Sequence, residues 1–203
     1  MACTFFETQA NLYAPAGTGL DLGSPSRRTD VPHVFEPAPT GRAKCRGCGR
    51  AIAKDTLRFG ERLPNPYGEG EATHWFHPPC AAHKRPEAFL EGLEAGGSLP
   101  PEVESFRPIA DLGAAHPRLP RVDGASRAPT GRARCRHCRE MIPKDAWRIG
   151  LVFWDEGRFM PSGFIHLACA GEYLGTVDLL DRIRFFTELT DADAAEIAAG
   201  LEA

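Results

Sequence analysis

Residues 38–48 read Ala-Pro-Thr-Gly-Arg-Ala-Lys-Cys-Arg-Gly-Cys, and residues 128–138 read Ala-Pro-Thr-Gly-Arg-Ala-Arg-Cys-Arg-His-Cys. At the same offset, Ile52, Lys54, Asp55, Arg58 and Gly60 recur as Ile142, Lys144, Asp145, Arg148 and Gly150. An internal repeat of this length fixes the architecture before any single element is assigned. Each copy is followed by a His-x-x-Cys, at His77/Cys80 and at His166/Cys169. The full patterns are Cys-x2-Cys-x28-His-x2-Cys and Cys-x2-Cys-x27-His-x2-Cys. Two cysteines three apart can offer both sulfurs to one ion from a tight turn, and a second pair closes a tetrahedral set.

The expected ligands are therefore Cys45, Cys48, His77 and Cys80 for one Zn2+, and Cys135, Cys138, His166 and Cys169 for another. Filling all four positions with protein leaves none for water, so both ions read as structural. His74 competes with His77 in the first copy. The second copy has Gly163 at the matching place and keeps only His166, which favours His77. The seventh cysteine, Cys3, has no partner motif, and an odd count argues against a closed disulfide framework.

The chain has 203 residues and a formal net charge of −3. Each repeat would build a module of about 70 residues, a size at which a core alone is marginal and a staple is usual. Zinc binding of about 10–16 kcal/mol per site offsets that deficit. No apolar run approaches the ~20 residues of a membrane span. No basic segment followed by an apolar one opens the chain, so an intracellular protein with reduced thiols is expected. Net acidity is awkward for a nucleic-acid binder, yet the basic residues gather in the repeats. Arg42, Lys44, Arg46 and Arg50 flank the first Cys pair, and Arg132, Arg134, Arg136 and Arg139 flank the second. That recurrence favours an anion-binding face.

The expected fold is α+β, with two small zinc-stabilised modules that each combine a short antiparallel sheet with helices. Residues 1–37 read as a largely disordered extension, 38–112 as the first module, 113–127 as a linker and 128–203 as the second. Strands are expected over 55–60, 74–77, 146–153 and 163–166, with a turn-rich hairpin loop over 63–73. A helix is expected over 86–95, opened by Pro86 and closed by Gly96-Gly97, and a short one after Ser98. Further helices should follow Cys169, span 177–185 with Thr176 as cap, and span 191–201, where Thr190 and Asp193 have capping-box spacing.

Gly-Arg-Ala-x-Cys-x-x-Cys-x-x-x-Ile-x-Lys-x-x-x-Arg, followed by Trp75-Phe76-His77-x-x-Cys80, resembles the zinc finger of poly(ADP-ribose) polymerases and of DNA ligase III. The resemblance covers both modules. It implies recognition of DNA breaks (nicks, gaps and ends) by structure rather than by sequence. It carries the phosphate-contacting arginines onto Arg42 and Arg132, and onto Arg58 and Arg148. The basic flanks add Lys44 and Arg134 to the expected DNA face. Apolar loop residues that cap exposed bases would be Tyr67 in the first module and Phe159 and Met160 in the second. The second copy departs from the family in having Gly163-Phe164-Ile165 before its histidine, and the acidic Glu69 and Glu71 should weaken the first loop on DNA.

The expected function is zinc-dependent, non-catalytic binding of broken DNA, as a damage sensor or an accessory that recruits a repair enzyme. No membrane or small-molecule substrate is expected, because no nucleophile–base pair or open metal site stands out. The competing reading is a zinc-stabilised protein–protein adaptor with little DNA affinity.

Overall fold

A computed structural model describes residues 32–65 and 68–202. The proposed extension over 1–31, including Cys3, lies outside the described residues, as does Tyr67. Two three-stranded antiparallel sheets carry the two repeats. The first contains β1 (Val34–Pro37), β2 (Leu57–Pro64) and β3 (Glu71–Phe76). Helices α1 (Pro78–Lys84), α2 (Pro86–Ala95), α3 (Pro101–Glu104) and α4 (Arg107–Ala115) follow. The second contains β4 (Val122–Arg127), β5 (Trp147–Asp155) and β6 (Arg158–His166), then α5 (Ala170–Leu174), α6 (Leu180–Phe186) and α7 (Asp191–Leu201). In each sheet the middle strand is the one that leaves the Cys-x-x-Cys turn.

The repeat is legible in the cores. Ile52 and Ile142, Phe59 and Ile149, and Phe76 and Ile165 occupy equivalent fully buried positions. The first core is aromatic, with Phe59 and Phe89 ring centroids 5.7 Å apart, and the second is aliphatic. Helix α7 starts as expected. Thr190 accepts from the Asp193 N–H while the Asp193 carboxylate accepts from the Thr190 N–H. Thr176 does not cap α6. Its hydroxyl accepts from Asp178 N–H, and the helix begins only at Leu180.

Two boundaries move. The end of the proposed extension is β1, paired with β2 through Val34↔Gly60 and Glu36↔Arg58. The proposed linker is structured throughout its described length. Its first residues end α4, Leu119–Arg121 form a 3-10 turn, and Val122–Arg127 is β4. Pro-Gly-rich composition misled here because strands at sheet edges are short and their pairing partners lie far off in sequence.

The modules are docked rather than loosely tethered. The Lys84 side chain is fully buried, and its ammonium donates to the Val122 carbonyl and to Asp123 Oδ1, both at 2.7 Å. Arg182 on α6 donates to the carbonyls of His83 and Leu119 at 2.6 and 3.2 Å. The β5–β6 hairpin reaches back to the first module, where Trp154 lies 5.8 Å from Phe76 and 5.5 Å from His74, centroid to centroid. His83 packs between modules, with its ring 4.4 Å from that of Phe185 and its Nδ1 buried without a partner.

Burial, together with the neighbouring Arg182 and Lys84 charges, pushes the His83 imidazole down to about 3. The unfolded chain takes up this proton near pH 6.5, whereas the folded chain resists until about 3. The unfolded state therefore binds more protons across that window, and stability is lost as pH falls through it. His83→Leu should flatten this slope. Chemical denaturation at pH 7.5 and at pH 5 should show the wild type losing about 2 kcal/mol more than the variant between the two conditions. Equal losses would contradict a neutral, seam-buried His83.

Candidate metal centres and nucleic-acid interface

The eight expected ligands converge. Cys45, Cys48, His77 and Cys80 form one group and Cys135, Cys138, His166 and Cys169 the other, with ligand atoms in each all within 4.8 Å of one another. His77 Nδ1 lies 3.5 Å from Cys48 Sγ and 3.9 Å from Cys80 Sγ. His166 Nδ1 lies 3.4 Å from Cys138 Sγ and 3.8 Å from Cys169 Sγ. Zn–S and Zn–N bonds of about 2.3 and 2.0 Å in a tetrahedron demand a sulfur–nitrogen edge of about 3.6 Å, so both sets fit the ion.

Surrounding groups orient the ligands. His77 Nε2 is 3.3 Å from the Ala51 carbonyl, and His166 Nε2 is 3.2 Å from the Met141 carbonyl. A carbonyl at Nε2 holds the proton there and leaves Nδ1 as the lone-pair donor. The backbone N–H groups of the two histidines also donate to sulfur, His77 to Cys45 at 3.3 Å and His166 to Cys135 at 3.5 Å. A hydrogen bond from the Cys80 thiol holds Cys45 down at about 5, helped by backbone N–H groups of His77, Cys48 and Gly47. Cys80 is pushed up in turn by that same bond, by burial and by the Cys45 and Cys48 thiolates. At Cys135 burial opposes ionisation, but the N–H groups of His166, Cys138 and His137 outweigh it and hold the thiol near 6. Three thiolates crowd each set, so a divalent cation supplies the charge that lets all three ionise.

His74, the alternative ligand, is turned away. It packs on Trp154 and lies beside Gly157 of the second module. Its counterpart Gly163 has φ +103, and a Cβ there would meet Arg136 Nε at 2.9 Å. The missing aromatic of the second copy thus makes room for an arginine.

Of the expected DNA contacts, Arg42, Lys44, Arg132 and Arg134 are exposed around the two Cys-x-x-Cys turns. Arg58 and Arg148 take equivalent places, each with its guanidinium 3.5 Å over an aromatic ring, Trp75 and Phe164 respectively. Their surroundings differ. Arg58 is buried and bonded to the Glu36 carboxylate, whereas Arg148 meets the Ser126 hydroxyl at the same register position. The first arginine is neutralised and the second keeps its charge available.

Phe159 does not project as a loop tip. It is packed against Trp154 at 4.7 Å and against the first module's core, with the Lys84 ammonium 5.3 Å from its ring. Met160 is half-buried and paired across the hairpin with Phe153, which is 42% exposed. Sequence reading missed Phe153 because a bulge at Leu151/Val152 shifts which side chains face outward. It also missed Trp154 as a docking residue, although a tryptophan beside an Asp-Glu-Gly turn was the available signal.

The family described as "Poly(ADP-ribose) polymerase and DNA-Ligase Zn-finger region" matches residues 36–112. The first module is a PARP-type zinc finger. The second module repeats its ligand set and its three-stranded sheet. It is 29% identical over 189 residues to the poly [ADP-ribose] polymerase of Drosophila melanogaster, covering 83% of this chain and 19% of that protein. It is 28% identical over 134 residues to poly [ADP-ribose] polymerase 1 of Gallus gallus, covering 59% and 13%. It is 24% identical over 193 residues to the polynucleotide 3'-phosphatase ZDP of Arabidopsis thaliana, covering 82% and 28%. The chain thus spans a minor part of the curated relatives it matches. Among the described residues, no helix is long and apolar enough to cross a membrane.

Cys138→Ser should release one equivalent of zinc, leave the other bound, and destabilise the second module by several kcal/mol. Metal analysis and a thermal melt check this. Loss of both ions would mean that the two sites are not independent.

Proposed function

We propose that the protein binds DNA at strand breaks without catalysing a reaction, as a damage sensor or a repair accessory inside the cell. The observation that carries this reading is the second module's exposed basic flank, with Arg132 and Arg134 beside the metal site and Arg148, among the described residues, bonded to a hydroxyl and to no carboxylate. The zinc ions hold the turns that present these groups. Arginine forks bind phosphate oxygens in pairs and position a duplex without reading its bases. The first module adds Arg42 and Lys44, but its Arg58 is spent on Glu36. The second module therefore leads.

Base capping falls to Phe153 with Met160, the apolar pair at the outer face of the β5–β6 hairpin. An intact duplex offers no open base face, so stacking worth about 1–3 kcal/mol per base favours breaks. Tyr67 is the corresponding candidate in the first module. The docked seam means that both fingers meet DNA as one body, which suits a bent, interrupted duplex. The similarity to DNA ligase-type fingers and to a polynucleotide phosphatase supports a repair setting, in which a repair enzyme is the partner to seek.

Binding to a nicked hairpin, an intact duplex and single strands at one salt concentration tests the reading. Nicked DNA should bind tightest. Arg132→Ala should weaken every duplex, whereas Phe153→Ala with Met160→Ala should weaken only nicked DNA, by about tenfold. Equal affinity for nicked and intact duplex would overturn break recognition. An adaptor would show no DNA affinity at low salt, where phosphate neutralisation predicts a log–log salt slope near −0.9 per contact.

A further inference from the structure

A second cationic feature lies partly outside the repeated plan. Arg118, Arg121, Arg136, His137, Arg139 and Tyr173 line a cleft of about 420 Å3 on the second module. Several arginines elsewhere in the fold meet carboxylates, as in Arg58–Glu36, Arg85–Glu61 and Arg127–Glu196. In the cleft they do not. Arg118 donates to the Tyr173 carbonyl at 3.1 Å and covers that ring at 4.9 Å. Arg136 Nε donates to the Ser162 carbonyl at 2.6 Å. Among the described residues Arg121 and Arg139 have no ion pair, and Glu172 is engaged by His137 at 3.1 Å.

Two further observations mark the cleft as built. Arg139 holds φ +69, where the equivalent first-module residue is Gly49 at +73. The left-handed turn belongs to the Cys-x-x-Cys knuckle of both modules, and the second module sets a guanidinium there at a cost of about 1 kcal/mol. Gly163, in turn, leaves the space that Arg136 occupies. Neither Arg118 nor Arg121 belongs to the duplicated motif. The cleft is also on a different face from the duplex-binding arginine. Arg136 lies where Gly163 has no side chain. Phe164, next along β6, points the other way, to where Arg148 covers it.

We propose that this cleft is a phosphate-binding site separate from the face that carries Arg148. Four guanidiniums with no carboxylate among the lining residues repel one another unless an anion joins them, and the arginine fork matches a phosphate's oxygens. The phosphates come from a nucleic-acid strand or from a small phosphorylated ligand. The site does not require the break-binding reading to hold.

The test uses the full chain purified with its metal. Inorganic pyrophosphate and a short oligothymidylate are titrated by calorimetry into wild type and into Arg121→Ala/Arg139→Gly. Glycine suits φ +69, so the second change relieves strain and leaves the fold intact, which a thermal melt verifies. Arg107→Ala/Arg158→Ala removes the same charge elsewhere and serves as the control. The cleft variant should lose about tenfold or more in affinity for whichever ligand binds tighter, and the control should lose little. Tighter binding of the oligothymidylate at equal phosphate concentration assigns a strand, and tighter pyrophosphate assigns a small ligand. Wild-type affinity in the cleft variant, equal loss in the control, or no saturable binding of either ligand would overturn the site. Failure of nicked-duplex binding would not, because pyrophosphate needs no duplex.

Discussion

Each module depends on the closure of its Cys-x-x-Cys turn by a histidine and a third cysteine brought from the far side of a sheet. The second and third strands of each sheet are placed by that closure. The middle strand leaves the turn, the third strand delivers the histidine, and the following helix or turn delivers the last cysteine. The buried core of each module is modest, thirteen residues around Ile52, Phe59 and Phe76 in one and sixteen around Ile142, Ile149 and Ile165 in the other. Cores of that size barely offset the entropy of ordering the chain, so a metal worth ~10 kcal/mol or more decides whether the module folds.

Duplication gave two fingers the freedom to diverge. Glu36 faces Arg58 where Ser126 faces Arg148, and His74 stands where Gly163 admits Arg136. Each change moves charge out of the first finger's sheet or into the second's. The first finger is left with a neutralised strand arginine and a surface that receives Trp154 and Phe159. Both fingers keep exposed basic residues around their Cys-x-x-Cys turns, and in the second finger the strand arginine meets a hydroxyl in place of a carboxylate. The seam that joins them is polar at its centre: the Lys84 ammonium is held by the Val122 carbonyl and the Asp123 carboxylate, and Arg182 Nη1 is held by two main-chain carbonyls while its Nη2 is buried without a partner. Such a seam is directional. It fixes one relative orientation more strictly than an apolar patch of equal area would.

The ligands, the repeat and the helices over 86–95 and 191–201 were legible because they follow from spacing and local capping. The choice of His77 over His74 was legible because one copy could be read against the other. What escaped depends on distant pairing. Strands β1 and β4 are short edge strands whose partners lie some 20 residues or more away, so composition made them look like tail and linker. Phe159 looked like a loop tip because the hairpin bulge and the docking of Trp154 cannot be read from local pattern. The Arg118–Arg139 cleft escaped for the same reason, since two of its arginines come from outside the motif and meet the others only in the folded chain.

Zinc K-edge X-ray absorption on the purified chain tests the closure most directly. Two zinc ions per chain are expected, each with three sulfurs at about 2.3 Å and one nitrogen at about 2.0 Å, and no oxygen ligand. An oxygen in the first shell, a four-sulfur average, or fewer than two ions would contradict it.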